Sequence, residues 1–347
     1  MDMDKKKKIL FINFGGLGDE ILFLPTIQAI KKEIPNSEIT LALEKRSKGV
    51  VELTDVIDEI LFANIKKEFS PHGGGFGRRL SLLNKYFELS KLLFKIWQRK
   101  FDIVVSSGSN KFLSIFLFLT FIKEKYGYNS GKLSELFLTK SINLNKNQYA
   151  GKMYYDLVQN LTDKEFELPN LSIEKKPTIL NSVLIHPGVS KVSIQKGMIK
   201  TISTEKWAEV VEKLADSGKK VYLIGGPDDK ECIEKICQLV PCEKFENLYG
   251  TTKNLKDLAE LISSAEKFLC SDSAPLHIAV ALGIKTYVIF GSTDDKKLIP
   301  QNKNVVAIKN NCDCPLKPCL WERRQTTCEE LSCLEISVEN IINTVLK

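Results

Sequence analysis

The chain lacks an apolar stretch long enough to cross a bilayer. Its longest strongly apolar run, Phe112 to Ile122, is far short of the roughly 20 residues a spanning helix needs, which excludes a helical integral membrane protein. A secretory core is also missing. Met1 to Lys8 is charged and leads directly into a strand pattern, so a cytoplasmic protein is expected. Cysteine is absent before Cys232: all nine cysteines lie from that residue onward, and five fall from Cys312 to Cys333. In a cytoplasmic chain such clustering favours metal or reduced thiols over disulfides. Acid is scarce over residues 78–100, where Glu88 alone faces Arg78, Arg79, Lys85, Lys91, Lys95, Arg99 and Lys100. What is present is ordinary for a globular protein: 43% hydrophobic and 27% charged residues. Its 347 residues leave room for two domains.

The basic segment is also apolar, with Leu80, Leu83, Phe87, Leu92, Phe94, Ile96 and Trp97 interleaved. It reads as an amphipathic helix. Its apolar side either faces the core, leaving a solvated basic face, or rests on an anionic membrane surface. The two are compatible. The loop at 64–78, with Pro71, His72 and Gly73-Gly74-Gly75, reads as a lid or acceptor loop.

Strands alternate with helices along the first half. Lys8–Phe14 is a strand pattern and Ile21–Ile34 a helix. Ile39–Leu43, Ile57–Phe62 and Ile103–Ser106 are further strands, and Phe112–Ile122 reads as a buried helix. Around 166–178 the composition turns to Glu, Lys and Pro, and the alternation then restarts. Ser182–His186 and Lys220–Ile224 are strands, with helices at Thr204–Ser217, Lys230–Leu239 and Leu255–Ser263. The expected architecture is α/β, with two Rossmann-like halves around a cleft. The halves are residues 1–165 and 179–335, joined by a linker at 166–178. A final helix at 336–347 is expected to pack back across the linker.

Three loops carry chemistry. The first, Gly15-Gly16-Leu17-Gly18-Asp19, starts like a dinucleotide fingerprint, and Glu44 stands where a ribose-binding acid would. However, Ile21 replaces the third glycine, and the Asp19 charge would repel a pyrophosphate at the helix start. The glycines instead bring backbone close to a ligand, and Asp19 either serves as a general base or only caps its helix. The second loop, His186-Pro187-Gly188-Val189-Ser190, precedes Lys191, Lys196, Lys200 and Thr201, groups able to neutralise a leaving diphosphate. The third is Ser271-Asp272-Ser273-Ala274, with His277 one turn into the following helix. Its small polar residues and exposed amides suit a phosphate.

Together these segments resemble glycosyltransferase family 9, the lipopolysaccharide heptosyltransferases. The resemblance rests on Phe14–Pro25, Ile185–Gly188, Trp207–Val210, Leu223–Pro227, Asn247–Leu255 and Ser271–Ala279. It implies a GT-B fold, with acceptor on the N-terminal domain and nucleotide-sugar donor on the C-terminal one. It further implies inverting transfer from an ADP-sugar, typically a heptose, to a lipid-linked saccharide, with no metal or cofactor in catalysis. Asp19 then matches the base, with Gly15, Gly16 and Gly18 as its loop. Ser190, Lys200, Asp272, Ser273, Ala274 and His277 match the donor site, with Lys196 competing for the role of Lys200. Ala274 stands where the family commonly has glycine. Peripheral contact with the cytoplasmic face of the inner membrane suits such an acceptor, and no nucleic-acid partner is expected.

Four thiolates can close a tetrahedral zinc or iron site. Cys314, Cys319, Cys328 and Cys333 are the candidate ligands, with Cys312 as a competitor; free thiols and disulfides are the alternatives. The cluster resembles the cysteine-bound iron site of related transferases that glycosylate proteins. A protein O-heptosyltransferase is therefore a second reading, and a degenerate nucleotide-binding protein a third.

Overall fold

Strand β1, Lys8–Ile12, is buried along nearly its whole length. An unbroken apolar strand of this kind requires cover on both faces, the signature of a parallel sheet between helices. The structure, a computed structural model, describes residues 6–63, 75–195, 197–320, 328 and 330–347, with backbone alone for 75–85. It divides into two compact units, Met1–Asn170 and Leu171–Lys347.

The first unit adds β2 (Glu38–Leu43), β3 (Glu59–Phe62), β4 (Ile103–Ser106), β5 (Glu124–Tyr128) and β6 (Lys140–Ile142). All pairings are parallel, in the order β3-β2-β1-β4-β5-β6. The second unit repeats this arrangement with β7 (Ile179–His186), β8 (Lys220–Leu223), β9 (Glu246–Asn247), β10 (Ala265–Ser271), β11 (Lys285–Phe290) and β12 (Val305–Lys309). Its order, β12-β11-β10-β7-β8-β9, is the same winding read from the opposite edge. In each sheet the order reverses beside the first strand, between β1 and β4 and between β7 and β10. Ligands of doubly wound sheets bind just beyond the strand ends at such a reversal. All three loops singled out from sequence lie at these two places.

One core of the first unit packs Leu10, Ile12 and Val104 of the sheet against Leu92, Ile96, Phe116 and Leu117. In the second unit Trp207, fully buried, packs among Val183, Ile185, Val221, Leu269 and Ile289. The last helix, Val338–Leu346, was expected across the linker. Its Val338, Ile341 and Val345 instead join this second core.

The run Phe112–Ile122 also departs from expectation. The helix spans Lys111–Leu119, and only part of it is buried. Phe116 and Leu117 face the core, whereas Phe112, Phe118, Leu119 and Phe121 are exposed. A one-sided helix was masked by apolar residues on both its faces. The basic helix is longer at its start, Gly75–Arg99. The segment 64–74, with His72, lies outside the described residues, as does Lys196. Among the described residues no helix is long and apolar enough to cross a membrane.

Candidate active site

The loop after β1 is built around Asp19. The helix Leu17–Glu33 begins there, and Asp19 at its third position accepts the Gly16 N–H through Oδ2 at 2.8 Å. Any Cβ on Gly15 would lie 2.3 Å from the Asp19 Cβ, so this approach needs glycine. The loop is fixed from three other sides. The Ser47 hydroxyl donates to the Gly15 carbonyl at 3.0 Å. The Asn13 amide donates to the Asp19 carbonyl at 3.3 Å, and Ser107 donates to Asn13 at 2.9 Å. The Tyr154 hydroxyl donates to Asp19 Oδ1 at 3.3 Å. Burial and the Asp19 charge push the Tyr154 phenol well above its ordinary range, so it acts as a donor. The capping role foreseen for Asp19 is thus present. Its carboxylate is also partly exposed and retains lone pairs for a further proton donor.

The next residue contrasts with it. Glu20 is 1% exposed, and neither of its carboxyl oxygens has a hydrogen-bond partner of normal geometry. Burial raises its pKa well above the ordinary range, and the Asp19 and Glu44 charges add to this; the Gly15 amide and Asn13 oppose it only weakly. Its surroundings therefore favour the protonated form of Glu20 beneath the loop. Glu44 is itself paired with Arg46 at 2.5 Å.

In the second unit the strand ends of β7 and β10 meet. Lys200 Nζ lies 3.0 Å from Asp272 Oδ2, and the Asp272 side chain is 4% exposed. Burial alone raises this carboxyl's pKa. The Lys200 and His277 charges, with hydrogen bonds from Lys200 and Thr293, outweigh it and hold Asp272 below its ordinary value. Lys200 is held in turn through its neighbours. Ser292 donates to the Ile199 carbonyl at 2.9 Å, and Thr201 donates to the Pro187 carbonyl at 2.8 Å. The Trp207 indole and the Ser271 hydroxyl both donate to the Thr201 oxygen, at 2.8 and 2.7 Å. Lys200, Asp272 and His277 are thereby brought together.

Ser273 and Ser190 have partners of their own. Ser273 sits at the N-cap of the helix Ala274–Leu282, yet no side chain caps that helix. Its hydroxyl instead lies 3.4 Å from His186 Nδ1 and donates to the Ser271 carbonyl at 3.3 Å. The amides at this helix start, Ala274 included, thus keep their attraction for an anion. Ser190 is exposed, and its oxygen accepts the Ser193 N–H of the short helix Lys191–Gln195 at 3.3 Å. The structure places it in the local cap of that helix.

Sequence reasoning placed His186 in the second loop but missed its partner Asp229. His186 Nε2 lies 3.3 Å from Asp229 Oδ2, both side chains buried. Asp229 also accepts the Gly226 N–H at 2.7 Å. A Cβ on Gly188 would come within 1.7 Å of Asp229 Oδ1, which explains the glycine of the His-Pro-Gly loop. A signal was available. Gly225-Gly226-Pro227-Asp228-Asp229 repeats the spacing of Gly15-Gly16-Leu17-Gly18-Asp19, and in both the aspartate accepts the second glycine's amide.

The cysteines give a different result. Burial pushes the Cys333 thiol up to about 11, with Cys312, Cys319 and Cys328 close enough to add to it. Yet among the described residues no three Cys, His, Asp or Glu side chains gather so as to hold a metal ion.

Known proteins resemble this chain in sequence and in fold. The family model for glycosyltransferase family 9 (heptosyltransferase) matches residues 90–328. Lipooligosaccharide heptosyltransferase 2 of Campylobacter jejuni subsp. jejuni serotype O:6 is 25% identical over 342 residues, 95% of this chain and 96% of the relative. The solved E. coli heptosyltransferase WaaC with ADP-2-deoxy-2-fluoro heptose has a TM-score of 0.70 at 15% identity, covering 98% of this chain and 99% of that one. The iron-containing dodecameric glycosyltransferase TibC from enterotoxigenic E. coli H10407 has a TM-score of 0.58 at 13% identity, covering 100% of this chain and 76% of that one.

Two measurements check the electrostatics. Folded Glu20 keeps a proton that the unfolded chain releases, so stability falls as pH rises upward from the ordinary carboxylate range. Glu20→Gln should flatten this slope and raise the melting temperature by a few degrees at pH near 8, with little change near pH 5; parallel profiles would show that Glu20 is ionised in the fold. Lys200→Ala strands the buried Asp272 charge and should cost about 3 kcal/mol in urea denaturation. Adding Asp272→Asn should recover most of that loss.

Proposed function

Because the chain belongs to glycosyltransferase family 9 and is therefore a glycosyltransferase of the heptosyltransferase type, with the GT-B α/β fold of two Rossmann-like units, we propose that it transfers a heptose from ADP-heptose to a hydroxyl of a lipid-linked core saccharide. The observation carrying this reading is the contrast between the two repeated Gly-Gly-x-x-Asp turns. In the second unit Asp229 is buried and engaged by His186. In the first, Asp19 is partly exposed and held by Tyr154 and Gly16 in one orientation.

Asp19 takes the proton of the acceptor hydroxyl as its oxygen attacks the anomeric carbon. The bond from that carbon to the diphosphate breaks, and ADP leaves with the electron pair, inverting the centre. Charge growing on the diphosphate meets Lys200, His277 and the amides from Ala274 onward. In this reading the diphosphate competes with Asp272 for Lys200, whose ammonium is already positioned by that carboxylate. The ADP-2-deoxy-2-fluoro heptose held by WaaC supports ADP-heptose as donor, and the lipooligosaccharide heptosyltransferase of Campylobacter supports a lipid-linked acceptor.

A second reading, transfer to a protein hydroxyl, is favoured by the likeness to the iron-containing TibC and by the neighbouring thiols of Cys312, Cys319, Cys328 and Cys333. Bound iron in the purified protein, with label recovered on protein rather than lipid, would select it.

Asp19→Asn should lower kcat by about 10²- to 10⁴-fold, the usual contribution of a positioned base, with ADP affinity by calorimetry unchanged. Normal turnover in that variant would remove Asp19 from the chemistry. Among ADP-, GDP- and UDP-sugars, only ADP-heptose should raise the melting temperature markedly, since a ligand of the folded state alone must stabilise it.

A further inference from the structure

The helix Gly75–Arg99 carries two apolar faces. At about 100° per residue, Leu92 and Ile96 fall on one side, each 1% exposed. Tyr86, Phe87, Phe94 and Trp97 fall within a separate arc of about 100° and are 44 to 60% exposed. Their exposure is continuous with that of the helix Lys111–Leu119. The Trp97 indole donates to the Leu119 carbonyl at 2.9 Å, and its ring stacks on Phe121 with centroids 6.1 Å apart. Phe121 is 74% exposed and holds φ at 57°, a conformation bulky residues avoid. Phe118 packs on Phe137 at 4.5 Å, beside the exposed Leu136. These contacts make a contiguous aromatic surface rather than scattered exposed residues.

Its charge decides what covers it. Lys95, Lys100, Lys111 and Lys123 are exposed on the same segments, and Lys91 lies 4.1 Å from the Phe87 ring centroid. Glu88 is paired with Lys91, and Glu135 is the exposed acid. Protein interfaces are depleted in lysine, and a second copy of this chain would set lysines against lysines. Aromatic rings with lysines around them are the composition of surfaces that lie at the headgroup layer of an anionic bilayer.

We propose that this face of the first unit docks on an anionic phospholipid bilayer. Phe94, Trp97 and Phe121 enter the headgroup layer, and Lys95, Lys111 and Lys123 meet the lipid phosphates. The docking needs no sugar donor, so its test is separate from that of glycosyl transfer. The full chain is floated with vesicles of phosphatidylethanolamine and phosphatidylglycerol, and in parallel with phosphatidylcholine alone. Flotation with the anionic vesicles only is expected, weakened by salt at about 0.5 M. Phe94→Ser with Phe121→Ser should cut partitioning at least tenfold, as should Lys95→Glu with Lys123→Glu. Both pairs are exposed, so melting temperatures should stay at the parent value. No flotation with anionic vesicles, equal flotation with phosphatidylcholine, or variants that float like the parent would each overturn the proposal. So would a dimer in sedimentation velocity that Phe94→Ser with Phe121→Ser dissolves, if no flotation accompanies it.

Discussion

A carboxylate taken out of water must be met by a counter-charge, by donors or by a proton, and the strand ends of both units are organised by how that requirement is satisfied. Asp272 is met by Lys200 and His277, and stays ionised. Asp229 is met by His186 and the Gly226 amide. Glu20 has neither, and keeps its proton. Asp19 alone remains partly in water, oriented by Tyr154 and Gly16. Of these four carboxyl groups, Asp19 is the one that is both held in one direction by its neighbours and reachable from solvent.

The same requirement explains the glycines. Gly15 and Gly188 stand where an aspartate side chain packs directly on the backbone of a loop, leaving no space for a Cβ. The repeated turn therefore does two jobs with one local geometry. In the second unit it locks the His-Pro-Gly loop beside β10. In the first it presents a carboxylate. Lys200 depends on a longer chain of contacts, through Thr201 to the Trp207 indole and the Ser271 hydroxyl. Its position is thus a property of the second unit's core rather than of its own segment.

Strands with strong patterns were legible: β1, β2, β4, β7 and β8 are short apolar runs bounded by turn residues. The edge strands β6 and β9, of three and two residues, carry no pattern that distinguishes them from loop. β5, with the sequence EKYGY, is buried only toward its end and was missed for the same reason. The Phe112–Ile122 run failed differently. Its composition was read correctly as helical and apolar, but composition does not say how many faces the rest of the chain will cover.

Taken alone, the sequence determined the alternating α/β pattern, the division near residue 170, and the three loops that follow β1, β7 and β10, because periodicity, turn chemistry and helix starts are local properties of neighbouring residues. Which carboxylate stays charged, that Lys200 meets Asp272, that Ser273 turns to His186 instead of capping its helix, and that half of an apolar helix is left facing out were decided by tertiary structure. Each depends on burial and on partners far along the chain, and desolvation is set by what surrounds a group in space rather than by what precedes it in the chain.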